Sequence, residues 1–238
     1  MKLIRQYLTN NDCYRAGRYI KPTGIMVHST GVNQTRTQVY LSTWNMPGVD
    51  KCVHAFIGIL PDGSFGTVQT LPWDMRGWHA GGDANNTCIS FEICEDALES
   101  AEYFEKAYRE AVELTAMLCR EFGLTEKDVL CHCEGYARGV ASNHAVVMHW
   151  FPRFGKSMDD FRNDVKEELE VSYEKFVDYM ERYIAELSDK EPSEWSAKAR
   201  EWAEAEGIIR GNEYGEKMYR KPMTREEYVQ MEYRQAHK

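Results

Sequence analysis

The chain has 238 residues, 43% of them hydrophobic and 28% charged, with a formal net charge of −9. This length allows one domain, or one with an appendage, and no apolar run approaches the roughly eighteen residues of a membrane span. The acidic balance argues against a nucleic-acid role, because phosphate binding needs basic patches. The N-terminal Met1-Lys2-Leu3-Ile4-Arg5-Gln6-Tyr7 reaches polar residues too soon for a signal-peptide core, so synthesis in the cytoplasm without a signal peptide is expected. The seven cysteines (Cys13, Cys52, Cys88, Cys94, Cys119, Cys131 and Cys133) are odd in number and scattered, which suits reduced thiols better than a disulfide framework.

Lys21-Pro22-Thr23-Gly24 reads as a turn feeding a short apolar strand, Gly24 to Thr30, with His28 at its polar end. Gln38 to Trp44 reads as a helix closed by Pro47-Gly48. Val53 to Ile59 and Phe65 to Leu71 read as strands joined into a hairpin by Pro61-Asp62-Gly63. After the loop Trp73 to Asn86, Cys88 to Cys94 reads as a buried central strand. Between Ala101 and Phe122 the apolar positions 104, 107, 111, 114, 118 and 122 form one helical stripe, stopped by Gly123. Thr125 to Asp128 has capping-box spacing ahead of a second strand that ends at an imidazole, Val129-Leu130-Cys131-His132. Gly135 to Trp150 reads as an irregular loop, and Ser157-Met158-Asp159-Asp160 starts another helix. Strands alternating with helices predict an α/β fold: a mixed central sheet flanked by helices, over residues 1–165.

Charge density rises after Lys166. Residues 166–190 read as an amphipathic helical linker with Phe176, Tyr179, Met180, Tyr183 and Leu187 on one stripe. Residues 191–238 predict a small helical unit: a helix over Glu194 to Glu206, a turn at Gly207 to Gly211, and a helix capped by Thr224 and Glu227. A unit of this size buries little core alone. The expectation is that it self-associates, making the chain a homo-oligomer, or folds against the 166–190 helix.

Each of two strands about a hundred residues apart ends in one histidine, His28 and His132. A histidine where a buried strand meets solvent aims a nitrogen lone pair from a rigid support, as a metal site requires. Either alone reads more readily as an ordinary half-buried histidine, and the pair gains its weight from the sequence between and after them. Glu92 stands among apolar residues, where a carboxylate is costly unless paired or facing a site; it reads as a general acid/base or as a structural carboxylate. Gly77-Trp78-His79-Ala80-Gly81-Gly82 sets an aromatic among small residues, suiting the wall of a glycan or peptide groove or a Trp packed on its own hairpin. Strand alternation sets Cys131 and Cys133 on the face opposite His132, as small buried hydrophobes. His149, beside Trp150-Phe151, is expected to pack.

On these residues the chain resembles the zinc-dependent N-acetylmuramoyl-L-alanine amidases shared by phage lysins, bacterial autolysins and peptidoglycan recognition proteins. The matching stretches are Gly24–Thr30, Val53–Gly63, Val68–His79, Asn85–Asp96 and His132–Phe161. The resemblance implies Zn2+ held by His28 and His132, Glu92 as catalytic acid/base, and His54 and His144 as groups that steady the oxyanion. Trp78, His79 and Asn86 would line the substrate groove. It also implies an endolysin that cleaves the amide between N-acetylmuramic acid and the L-alanine of the stem peptide, reaching the wall after holin-type release. Related endolysins carry Asp or Cys as third zinc ligand where this sequence has Val146, which cannot ligate. Three readings follow: His144 swings in, the site is metal-poor, or the chain is a catalytically impaired peptidoglycan-binding module. Trp195 to Arg234 resembles a single S-layer-homology-like unit, implying attachment to a cell-wall polymer; stacked repeats of this kind generally need about three units for stability.

Overall fold

The computed structural model describes residues 1–170, 173–212 and 214–237. The chain divides into two compact units, residues 1–170 and 171–238. The first runs β1 (Leu3–Arg5), α1 (Asp12–Ala16), β2 (Gly24–Asn33), α2 (Thr37–Trp44), β3 (Ala55–Ile59), β4 (Phe65–Gln69), β5 (Cys88–Glu95), α3 (Ala101–Phe122), β6 (Val129–Cys131), α4 (His132–Ala137) and α5 (Met158–Leu169). The strands form one six-stranded sheet in the order β1-β4-β3-β5-β2-β6. Among the strands of the described residues, β3 and β4, the predicted hairpin, pair antiparallel and the other neighbours pair parallel. The expected mixed sheet flanked by helices is what forms.

Alternation along the two central strands decides which side chains meet. Ile25 and Val27 of β2 and Ile89, Phe91 and Ile93 of β5 face one way and share a core with Phe104, Ala107, Ala111, Leu114 and Leu118 of α3. These α3 residues are the stripe read from the sequence. Ser100 caps the helix by accepting the Tyr103 N–H, and Gly123 closes it at φ 67°, where a side chain would be strained. Met26, His28, Ser90 and Glu92 point to the opposite face. There α2 packs Tyr40 and Leu41 against Phe56 and Val68.

Three boundaries differ from the sequence reading. The strand before His132 stops at Cys131, and His132 opens α4, because the Glu134 carboxylate accepts the Cys131 N–H and closes a capping box. Alternation therefore does not extend to Cys133, yet the Cys131 and Cys133 thiols end 3.2 Å apart. The proposed 166–190 helix is two elements: α5 carries the chain through Lys166 to Leu169, and Glu170 turns extended. Of the expected Gly135–Trp150 loop, the first residues belong to α4.

The second unit holds α6 (Tyr173–Ser188), α7 (Ala197–Ala205) and α8 (Arg225–Ala236). Thr224 and Glu227 form the predicted capping box of α8. Gly207 in the left-handed region ends α7, and the Ile208 N–H returns to the Ala203 carbonyl. Ala203 and Ile208 are the buried hydrophobic residues of this unit among those described, in line with its size. No helix among the described residues is long and apolar enough to cross a membrane.

Candidate active site

The parallel ladder between β2 and β5 sets His28 opposite Glu92. β6 lies on the other side of β2 with Val27 opposite Cys131, so His132 follows at the next level up. His28 and Glu92 thus share one face of the sheet, midway along β2 and β5, and His132 joins them from just past the carboxyl end of β6.

His28 is 1% exposed and His132 4%. Their Nδ1 atoms lie 3.2 Å apart, with ring planes at 83°. His132 Nε2 is 3.2 Å from the Ser142 hydroxyl, which itself donates to the Ala80 carbonyl. That hydroxyl must therefore accept from His132, which puts the His132 proton on Nε2 and bares the Nδ1 lone pair. On His28, Nε2 lies 3.1 Å from His79 Nδ1. If His28 donates there, two bare lone pairs face one another and call for a cation between them; if it accepts, its Nδ1–H bridges to His132. Burial lowers the pKa of His28 to about 3, and His132 and His144 push the same way. Burial also lowers His132, with His144 next. Both rings are neutral at pH 7, the form that ligates a metal.

Glu92 is half-buried, and its Oε2 has no hydrogen-bond partner among the described residues. Burial raises its pKa to about 8; Glu95 adds to this and Lys51 opposes it. Glu95 has a different task. It is 2% exposed, accepts the Gly31 N–H at 2.9 Å, and pairs with His149 Nε2 at 3.1 Å. The loop after α4 is tied to the sheet by this pair and by the Val147 N–H, which donates to Ser29 Oγ at 3.2 Å. Val147 is buried at φ 62°. A β-branched residue in the left-handed region is strained, and it persists only where its surroundings over-determine it.

The remaining sequence-predicted residues divide. His144 is exposed and joins the cluster, its ring centroid 4.8 Å from that of His132. His54 does not open onto it. Its Nδ1 accepts the Ser90 N–H at 3.0 Å and its Nε2–H donates to the Met75 carbonyl at 2.8 Å, so neither nitrogen remains for an oxyanion. His79 turns inward as the partner of His28 rather than lining a groove. Trp78 is 43% exposed under the Arg76 guanidinium, which also donates to Asn86. The residue that shapes this loop is Asn85, whose Oδ1 accepts the N–H groups of both His79 and Ala80 at 2.8 Å. Nothing in residue type separates Asn85 from Asn86; only burial does. Gly81 and Gly82 serve the approach of another loop: a Cβ on them would lie 2.8 Å from Ser142 Oγ and 2.5 Å from the Val140 carbonyl.

The fold is shared with solved structures. The hydrolase AmiA of Staphylococcus aureus, in complex with its ligand, superposes with a TM-score of 0.60 at 21% identity, over 74% of this chain and 86% of that one. PlyL gives 0.56 at 22% identity, over 70% and 98%. A mutant endolysin from Bacillus subtilis gives 0.54 at 23%, over 69% and 99%. No curated protein matches the sequence. The family model described as N-acetylmuramoyl-L-alanine amidase matches residues 18–153, a stretch that contains every histidine and carboxylate of the cluster. With more than half its length so matched, the chain belongs to the N-acetylmuramoyl-L-alanine amidase family.

Proposed function

We propose that the first unit is a zinc-dependent peptidoglycan hydrolase that cleaves the amide between N-acetylmuramic acid and the L-alanine of the stem peptide. One observation carries this reading: the His28 and His132 Nδ1 atoms converge at 3.2 Å beside a carboxyl that the sheet register sets opposite His28. Two nitrogens bound tetrahedrally to one zinc at about 2.05 Å would stand roughly 3.3 Å apart, so the pair fits the ion. Zinc held there would polarise the scissile carbonyl and lower the pKa of a coordinated water to about 7.

Glu92 takes the proton of the attacking water and passes it to the leaving amine. Its mid-range pKa suits a group that must both accept and return a proton. His79 orients His28, Ser142 orients His132, and Asn85 holds the loop that carries His79. The sequence offered His54 and His144 as oxyanion donors; His54 is committed to Ser90 and Met75, so its part is to brace β3 against β5. Trp78 presents an exposed ring to the substrate side. The second unit, residues 191–238 in particular, attaches the enzyme to a wall polymer or to a second copy. The enzyme reaches the wall after holin-type release.

Glu92→Gln tests the reading. It abolishes release of free N-terminal L-alanine from purified walls while wall binding is unchanged; wild-type release by that variant removes Glu92 from the mechanism. One observation favours a second reading, a peptidoglycan-binding module without catalysis. Among the described residues no group of three His, Cys, Asp or Glu side chains converges on one ion position, and Val146 has no donor. Zinc content of protein purified without added metal, measured beside alanine release, separates the two.

A further inference from the structure

We infer that Cys131 and Cys133 are a redox-active dithiol, a modification site that closes into a disulfide beneath His132 when the protein meets a small-molecule disulfide. The thiol chemistry is independent of the amidase reading above; its setting outside the cytoplasm, and its bearing on catalysis through His132, rest on that reading.

The two thiols already touch. Their sulfurs lie 3.2 Å apart, and all seven cysteines of the chain are free. The backbone between them suits a link. His132 is the first residue of α4, so its dihedrals are helical, and residues two apart in a helix have Cα atoms roughly 5.4 Å apart. Disulfides bridge Cα atoms separated by about 4.4–6.8 Å. To reach the S–S bond length of about 2.05 Å the sulfurs close by roughly 1.1 Å, which side-chain rotation covers.

Access separates this pair from the others. Cys133 is half-buried, while the other six cysteines are buried. Cys13 and Cys52 also bond to each other through their thiols, but a dissolved oxidant reaches neither. Burial thus makes Cys133 the attacking thiol and Cys131 the resolving one. The Cys133 sulfur attacks one sulfur of oxidised glutathione, the S–S bond breaks, and one glutathione leaves with the proton that Cys133 gives up. Cys131 then attacks the Cys133 sulfur of the mixed disulfide and displaces the second glutathione, which takes the Cys131 proton. The protein dithiol loses two electrons and the glutathione disulfide gains them.

The position gives the link its effect. Cys131 belongs to the core on the α3 side of the sheet, and Cys133 packs against that core. His132, between them, holds its ring against His28 and Ser142. A bond between the flanking sulfurs ties the end of β6 to the first turn of α4 and so fixes the backbone that aims this ring. The Glu134 carboxylate makes a non-covalent version of the same tie, accepting the Cys131 N–H at 3.0 Å. Thiols stay reduced in the cytoplasm and oxidise outside it, so the brace forms as the enzyme leaves for the wall.

The test is incubation of the folded full-length protein with oxidised glutathione, then alkylation of the remaining thiols and peptide mass mapping. In wild type the tryptic peptide 128–138, which holds both cysteines, escapes alkylation and is lighter than its dithiol form by two hydrogens; dithiothreitol restores it. Cys133→Ala forms no link. Cys131→Ala stops at a stable mixed disulfide between Cys133 and glutathione, since the resolving thiol is gone. Oxidised wild type unfolds a few degrees above its reduced form, and the same treatment leaves the Tm of Cys133→Ala unmoved. Wild type that keeps both thiols, halts at the mixed disulfide, or links Cys13 to Cys52 instead overturns the assignment. An oxidised Tm below the reduced one overturns the brace. Absence of alanine release from both forms overturns the amidase reading and leaves the dithiol standing.

Discussion

His28 and Glu92 are opposite partners in the parallel ladder of β2 and β5, so the register of two central strands alone brings the imidazole and the carboxyl to one face. A slip of one residue would send one of them into the α3 core. Neighbouring pairs prevent it: Val27 opposite Phe91 and Ile25 opposite Ile89 are fully buried on that other face. The hydrophobic core thereby specifies the geometry of the site.

Glu92 sets stability against function. The unfolded chain releases this proton near 4.5, the folded chain only near 8, chiefly because the carboxyl is buried. The folded state thus favours the neutral acid. Its contribution is complete below pH 4.5 and is lost as pH rises through the window to 8. In metal-free protein Glu92→Gln removes that loss, by roughly 3 kcal/mol at pH 7. The expected result is a Tm several degrees above wild type at pH 7.5 and equal to it at pH 4, read by thermal denaturation in chelator. A lower Tm at pH 7.5 would mean that Glu92 is ionised and paired in the fold.

His79 positions His28 without touching the ion. Replacing His79 by Phe removes the acceptor that favours the Nε2–H form of His28, the form that bares Nδ1. Zinc affinity should fall roughly ten- to hundredfold, the usual cost of a lost supporting partner. Unchanged affinity in a zinc titration would show that His28 keeps its tautomer unaided.

Asn85 and Asn86 are adjacent and chemically identical, and the structure assigns them opposite weight. Asn85→Ala leaves the buried N–H groups of His79 and Ala80 unpaired, at about 1–3 kcal/mol for each. Asn86→Ala removes only an exposed contact with Arg76, worth about 0.5 kcal/mol or less. Urea denaturation of the two variants should separate their midpoints clearly, with Asn85→Ala the less stable.

The contrast marks how far the sequence could be read. The α3 stripe, the β3–β4 hairpin and the buried β5 run were legible because each is a local periodicity with its own stop signal. His28, His132 and Glu92 were legible as polar residues in apolar runs, where each is costly without a purpose. What the sequence did not carry was direction. His54 and His79 look alike in a list of imidazoles, but one is spent on β5 and the Met75 carbonyl while the other meets His28. Glu95 drew no notice beside Glu92, three residues earlier on the same strand. Its burial and its bond to His149 depend on a loop more than fifty residues away. The helical start at His132 was hidden for a similar reason, since the Glu134 cap that ends the strand is itself held by Arg162 of α5.

His54 gives the acid limit of the fold. Burial lowers its pKa to about 4, against the bonds to Met75 and Ser90, and His28 lies lower still at about 3. Unfolded, both bind protons near 6.5. The stability that comes from keeping them neutral is present above pH 6.5 and is lost as pH falls toward 3–4. Protonation of His54 would also turn its Nδ1 from acceptor to donor against the Ser90 N–H. Metal-free protein should therefore lose stability steadily below pH 6.5. His54→Gln should be destabilised at neutral pH, because the Ser90 N–H and the Met75 carbonyl lose well-placed partners, and its Tm should fall less steeply than that of wild type between pH 6.5 and 4.5. Parallel Tm–pH curves for the two proteins would take the acid sensitivity away from His54 and leave it to His28 and the carboxylates.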